Sequence, residues 1–458
     1  MTALTPDIRI APPGPKARAI IERDRKYSSP SYIKEYPLVV DRGEGSWLYD
    51  VDGNRFLDFM AGIAVSATGY AHPQVVEAVK AASERFLHVC GTDFYYESFA
   101  ALCEKLASFV PEMGPKKVFL TNSGTEAVDG ALKLVRHHTR RPNVIAFKGG
   151  FHGRTYGAIS LNSSKVGQRA FFGPLVPGVL HIPYAYPFRC PQGQPATACA
   201  ANCRCARVLE TDWFLNHVDP REVAAVFVEP VLGEGGYVVP PAQFLRDLRD
   251  ICDQHGILLV FDEVQSGVGR TGQMFAADHF GVAPDVLLTA KGLGSGMPIG
   301  AIVAKESVMT WPRGSHGSTF GGNPVACAAA LATLAVVEPL LPRIRTVGAA
   351  LERGLRQLQG SHPALGEVRG LGLMVGAEFI RPSDREPAGE YVGDLEQLAF
   401  RKGLLLLSCG KSTIRFAPPL IISEAEVEVG LRVLGECLAE LDAKHGFSGA
   451  SAPLDEKV

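Results

Sequence analysis

ILLVFDEVQSGVGRTG, residues 257–272, decides the fold. Its first five residues are apolar without a break, which is short for a helix and reads as a strand covered on both faces. Asp262 follows directly where that apolar run stops. A carboxylate there needs a cation or hydrogen-bond donors around it. A buried salt bridge to an arginine satisfies that need as well as a functional site does. Gly267, Gly269 and Gly272 behind it mark a turn passing close to something.

The same pattern extends in both directions. Phe244, Leu245, Leu248 and Ile251 fall on one helical face that Gly256 closes. Earlier, Val118–Leu120, Asn143–Phe147 and Ala224–Val228 are short apolar strands, and Ala127, Val128, Ala131, Leu132 and Val135 have helical spacing. Later, Val286–Thr289 and Ala301–Ala304 repeat the strand pattern. Apolar strands spaced by helices predict an α/β fold, a mostly parallel sheet with helices on both faces and a ligand site beyond the carboxyl ends of the strands.

Past Pro342 the composition shifts. A helix over Leu351–Leu358, Gly-rich strands over Val368–Phe379, short strands at Leu404–Leu407 and Thr413–Phe416, and an amphipathic helix over Glu424–Leu441 predict a smaller α+β domain. The first forty residues are Pro-rich and read as an irregular arm. Trp47–Phe59 reads as a hairpin around Asp52-Gly53-Asn54, and Ser448–Val458 as a frayed tail. The expected division is an arm with part of the small domain over 1–70, a large domain over 71–340 and a small domain over 341–458.

Composition narrows the function classes. The 458 residues are 46% hydrophobic and 21% charged, as in globular proteins, which argues against general disorder. Lys plus Arg (46) nearly balances Asp plus Glu (48), so no basic excess exists for nucleic acid. The longest apolar run, Val325–Val337, falls short of the roughly 18 residues a membrane span needs. The first residues lack a secretory h-region, and ten scattered or clustered cysteines do not make a disulfide scaffold. These features predict a soluble, cytoplasmic protein with most thiols reduced.

Four clusters carry chemistry. Thr121–Ala127 (TNSGTEA) has Ser123 and Glu126 at capping-box spacing, so a helix starts at Gly124; its backbone N–H groups suit a phosphate or simply a cap. Asp262 is the second. Lys291, in TAKGLGSGMPIGA, stands at the mouth of another apolar strand; it is a candidate nucleophile or a snorkelling surface lysine. Arg415, in IRFAPPL, offers a planar fork for a carboxylate or a structural ion pair.

With these clusters stand GIAVSATGYAHP (62–73), GGFHGRT (149–155), EPVLGEGG (229–236) and GSHGSTFGGNP (314–324), in one order and spacing. From about Pro13 to Leu441 the chain resembles the class III, fold-type I aminotransferases, enzymes that use pyridoxal 5'-phosphate (PLP) and include the 4-aminobutyrate, ornithine and acetylornithine aminotransferases. The resemblance implies that Lys291 forms the internal aldimine and moves the proton. It implies that Asp262 keeps the pyridine nitrogen protonated and that Gln265 bonds the phenolic oxygen. Val264, Phe151 and His152 would flank the ring. Ser123, Gly124 and Thr125 would cradle the phosphate, with Thr319 contributed by a partner subunit of a homodimer that can pair into a tetramer. Arg415 would clamp the α-carboxylate of 2-oxoglutarate or glutamate and Arg154 the far carboxylate, while Glu234 would mask Arg415 when the donor has a single acid group. Ile63 and Glu229 would line the substrate pocket; Ile63 stands where ornithine enzymes carry tyrosine.

The favoured expectation is transfer from a 4-aminobutyrate-like ω-amino acid to 2-oxoglutarate by a ping-pong mechanism, with acetylornithine or ornithine transfer, or racemisation, as alternatives. No metal is expected at the active site. The insertion Arg189–Glu210 carries Cys190, Cys199, Cys203 and Cys205, which read as free thiols on a surface excursion, a metal or disulfide staple being the other reading.

Overall fold

The computed structural model describes residues 4–447, so the expected tail at Ser448–Val458 lies outside the described residues. Two compact units emerge: Pro73–Leu341 forms one, and the residues up to His72 together with those from Pro342 onward form the other.

The chain enters through a helix, Pro15–Tyr27, where the composition predicts only an irregular arm. Pro15 opens it with a preset φ, and the carboxylate of Asp52 accepts the free N–H groups of Lys16 and Ala17 at 2.9 and 3.0 Å. That cap comes from the hairpin turn, far away in sequence, so no local signal announces it. The hairpin itself lies where expected: β1 (Val40–Glu44), β2 (Trp47–Asp50) and β3 (Arg55–Asp58) are antiparallel neighbours. Asp50 accepts Asn54 N–H at 2.7 Å, and Gly53 takes φ +94. Just beyond it, Ala61, Gly62, Ile63 and Ala64 take φ of +45, +60, +66 and +60, one left-handed helical turn.

The larger unit is built on β4 (Lys116–Thr121), β5 (Asn143–Phe147), β6 (Val179–Ile182), β7 (Val223–Val228), β8 (Leu258–Asp262), β9 (Val286–Thr289) and β10 (Gly300–Lys305), in the order β4-β10-β9-β8-β7-β5-β6. The strands from β9 to β6 are parallel; β10 runs antiparallel to both β9 and β4. Only Ala290–Ile299 joins β9 to β10, too short for a parallel crossover. All six residues of β7 are buried, as a central strand covered on both faces requires. The helices Gly124–Thr139 and Ala242–His255 present Ala127, Val128, Leu134, Phe244 and Leu248 to the core, each large side chain worth roughly 1.5–3 kcal/mol on burial. Gly256 closes the second helix at φ +60. The helical stretch Pro324–Ser361 has a window of mean hydropathy 1.9, long and apolar enough to cross a membrane by composition, yet more than half of that window is buried inside the protein, as in a core helix.

The smaller unit carries β11 (Leu365–Leu371), β12 (Met374–Phe379), β13 (Leu404–Leu405), β14 (Leu407–Cys409) and β15 (Thr413–Phe416). The expected single strand at Leu404–Leu407 is broken at Leu406: β13 pairs parallel with β3, while β14 joins an antiparallel sheet ordered β11-β12-β15-β14. Its last helix, Glu424–His445, starts with a complete capping box of Ser423 and Glu426 and ends at Gly446.

Candidate active site

At the carboxyl ends of the parallel strands in the larger unit lies a cavity of about 220 Å³. Gly124, Thr125, Phe151, His152, Gly153, Arg154, Glu229, Asp262, Val264, Gln265 and Lys291 line it. Three strands deliver its acids and amine: Glu229 follows β7, Asp262 ends β8 and Lys291 follows β9.

Asp262 is 5% exposed, and its partners are now visible. Its Oδ2 faces His152 Nδ1 at 2.7 Å, and Oδ1 accepts the N–H of Val264 at 3.1 Å. Burial opposes charge on His152, but the hydrogen bond and negative charge of Asp262, with Glu229 behind it, outweigh burial and raise its pKa. Burial, aided by the charge of Asp262, pushes Glu229 up to about 7 against the pull of His152. Glu229 accepts the N–H of Phe151 at 2.9 Å and of Gly233 at 2.8 Å, so both its oxygens brace backbone.

The helix at Gly124 supplies the opposite end. Ser123 caps it by accepting Glu126 N–H at 3.3 Å, but Glu126 reaches back to Asn122 N–H at 2.8 Å, one residue earlier than a capping box would have it. Ser123 therefore shapes the helix start rather than the cavity wall. A Cβ on Gly124 would sit 2.7 Å from Val264 Cγ1, so only glycine lets the helix start and the Val264 wall approach this closely. Thr125 Oγ1 accepts the N–H groups of Arg154 at 3.0 Å and Thr155 at 3.1 Å, which pins the loop carrying Phe151 and Arg154. Gly153, at φ +137, passes so close that a Cβ would lie 2.1 Å from that hydroxyl. The Arg154 guanidinium lies 5.5 Å from the Phe151 ring centroid.

Gln265 Oε1 accepts the Tyr237 hydroxyl at 2.8 Å, which fixes the amide so that its Nε2 faces away from that bond. Lys291 has φ +45, a region costly for a residue with a side chain. Such strain persists where the surroundings impose it, here between β9 and a Gly-rich turn.

Other expected site residues stand elsewhere. Thr319 is exposed and does not line this cavity. Glu234 Oε1 is bonded to Lys165 Nζ at 2.9 Å. Ile63, 41% exposed, lies in the left-handed turn of the smaller unit, and Arg415 lies buried on β15 of that unit, its Nη2 donating to Ser408 O at 3.0 Å. Sequence reasoning missed Tyr237, which immediately follows EPVLGEGG, and Asn162, whose Oδ1 accepts His152 N–H at 2.6 Å. A tyrosine next to a Gly-rich motif was the available signal for the first; nothing marked the second.

The profile of the class III aminotransferases matches residues 28–438. The chain belongs to that family. A 5-aminovalerate aminotransferase of Pseudomonas aeruginosa is 42% identical over 419 residues, covering 89% of this chain and 94% of that protein. An alanine/serine racemase of Pyrococcus horikoshii is 40% identical over 445 residues, covering 95% and 93%. An amine transaminase from an uncultivated Pseudomonas species, solved with PLP bound, superposes with a TM-score of 0.83 at 31% identity, covering 88% and 95%. Class III aminotransferases are PLP enzymes, and the cavity fits that cofactor. Gly124 leaves the space that a Cβ would fill, the helix start there offers N–H groups to a phosphate, and the buried Asp262 is paired with His152 at 2.7 Å.

Proposed function

We propose that this aminotransferase moves the amino group of an ω-amino acid, of the 4-aminobutyrate or 5-aminovalerate kind, to 2-oxoglutarate in a ping-pong cycle. When bound, PLP supplies the electron sink that lets a proton leave the carbon bearing the amine. The chain's own groups supply the rest. Lys291 would tether the cofactor and, once released, would be the amine that moves the proton. Asp262, oriented by its 2.7 Å bond with His152, would hold the proton on the pyridine nitrogen. Gln265, oriented by Tyr237, would meet the phenolic oxygen, Val264 and Phe151 would hold the ring faces, and the helix start at Gly124 and Thr125 would hold the phosphate.

The observation that carries the reading is a strained lysine and a buried acid delivered by adjacent parallel strands into one cavity. Arg154 at the cavity rim suits a second carboxylate, which a dicarboxylate acceptor has and a simple amine lacks. Glu234 would mask an arginine while an ω-amino acid occupies the pocket.

The active unit is a homodimer that shares its sites. Thr319 does not line the cavity of its own chain, and Leu87, Phe94, Tyr95 and Phe320 are exposed apolar groups that a partner would cover. Ten free cysteines suit the cytoplasm. The deciding experiment assays a donor panel for glutamate formation from 2-oxoglutarate. A kcat/KM at least about tenfold higher for 4-aminobutyrate or 5-aminovalerate than for L-alanine bears the reading out, a difference of about 1.4 kcal/mol. The racemase relative favours a second reading: L-alanine or L-serine inverted without any oxo-acid acceptor, and no glutamate formed, would establish it instead.

A further inference from the structure

The insertion between β6 and β7 has no apolar interior of its own. From Pro191 to Arg204 every residue is exposed except Cys199 and Cys203. Cys205, immediately after, is also buried, and Cys190 leads in from the other side. The Sγ atoms of Cys190, Cys199 and Cys205 all lie within 4.8 Å of one another. Cys203 is hydrogen-bonded to both Cys199 and Cys205. The excursion is therefore folded around four sulfurs, where the sequence reading has free thiols on a surface.

We propose that Cys190, Cys199, Cys203 and Cys205 form a structural tetrathiolate site for one thiophilic divalent metal ion, zinc first. Four thiolates at about 2.3 Å from a tetrahedral zinc have sulfur–sulfur edges of roughly 3.8 Å, so the sulfurs of Cys190, Cys199 and Cys205 need contract by only about 1 Å. A disulfide needs a separation near 2.05 Å and joins sulfurs in pairs. Cys199 instead contacts all three of the others, a tetrad that a single ion uses in full. The surrounding backbone is arranged as thiolate ligands require: the N–H groups of Gln192 and Gln194 bond to the Cys190 sulfur, and that of Cys205 bonds to Cys203. The segment's far end is anchored by Arg207, paired with Asp247 at 2.8 Å and Glu210 at 3.0 Å. A short stretch that buries so little apolar surface needs such a staple. Binding converts four thiols to thiolates, releases four protons to solvent and leaves the site with a net charge of two minus.

The test uses the purified full-length holoenzyme. Elemental analysis should find about one zinc, or one iron in its place, per chain. Metal removal with a chelator, followed by addition of cobalt(II), should give the sulfur-to-cobalt charge-transfer and tetrahedral ligand-field bands of a thiolate site. Chelation should lower Tm by about 5 °C while the PLP absorbance stays. Cys199→Ser/Cys205→Ser should lose the metal and the cobalt spectrum. Should that variant fail to fold, the wild-type metal content and cobalt spectrum still decide. Native protein with less than about a tenth of an equivalent of metal, taking up neither zinc nor cobalt(II), would overturn the site, as would disulfides among these four cysteines in peptide mass spectra.

Discussion

Replacing Gly124 by alanine tests a close approach in the cofactor cavity. The new Cβ would lie 2.7 Å from Val264 Cγ1 and 2.9 Å from Cγ2. Carbon atoms rest at about 3.5–4.0 Å, so Val264 must retreat by roughly 0.8 Å or leave its rotamer. Either movement shifts the cavity wall that Val264 forms. Overpacking of this size costs about 1–3 kcal/mol, which on cofactor binding is a loss of roughly 5- to 140-fold in affinity. The backbone at 124 is not in the left-handed region, and alanine is the better helix former by about 1 kcal/mol, which offsets part of the overpacking cost, so the apo-protein's Tm should fall by a few degrees at most. Weaker cofactor binding with a small loss of fold stability is the signature. Titrating dialysed apo-protein with PLP, followed by absorbance, measures it. Adding Val264→Ala removes both γ-methyl groups and should return Gly124→Ala to the affinity of Val264→Ala alone. A dissociation constant within twofold of wild type for Gly124→Ala, or no recovery in the double variant, would refute the steric argument.

Lys291→Ala should reduce transamination by at least about a thousandfold, and borohydride reduction should label residue 291 in wild type only; labelling of a different lysine would remove the assignment. Glu229, pushed up to about 7 from 4.5, is neutral in the fold where the unfolded chain has already ionised. Its stability contribution is present below about 4.5 and lost as pH rises through about 7, up to roughly 3 kcal/mol, so Glu229→Gln should flatten the fall in apo-protein stability between pH 5 and 8. Parallel pH profiles for the two proteins in denaturant melts would contradict this. Glu234→Ala should raise kcat/KM for ordinary α-amino donors relative to ω-amino donors by about tenfold; an unchanged ratio would dispose of the masking role, leaving Glu234 as the partner of Lys165.

The strands that frame the cavity were legible because burial on both faces writes itself as continuous apolar runs: β9 and β15 begin and end where composition places them. Asp262 and Lys291 stood out because each interrupts or follows such a run. Long-range pairing was not legible. His152 meets Asp262 across 110 residues, and Asp52 caps a helix 36 residues before it. β6 was missed because Val179–Ile182 includes a histidine and is only partly buried at the sheet edge. The antiparallel sense of β10 follows from a short connection rather than from its own residues. Leu406 divides one apolar run between two sheets, a choice made by tertiary pairing and not by local propensity.

The left-handed turn at residues 61–64 carries a conformational debt that the rest of the fold sustains. Three of its four residues have side chains, and Ile63 is β-branched at φ +66, so the turn holds roughly 3–6 kcal/mol above a relaxed backbone. Breeding this enzyme for heat tolerance would accordingly favour glycine at position 63, and such a lineage would gain robustness by giving up a fixed aliphatic side chain at that position.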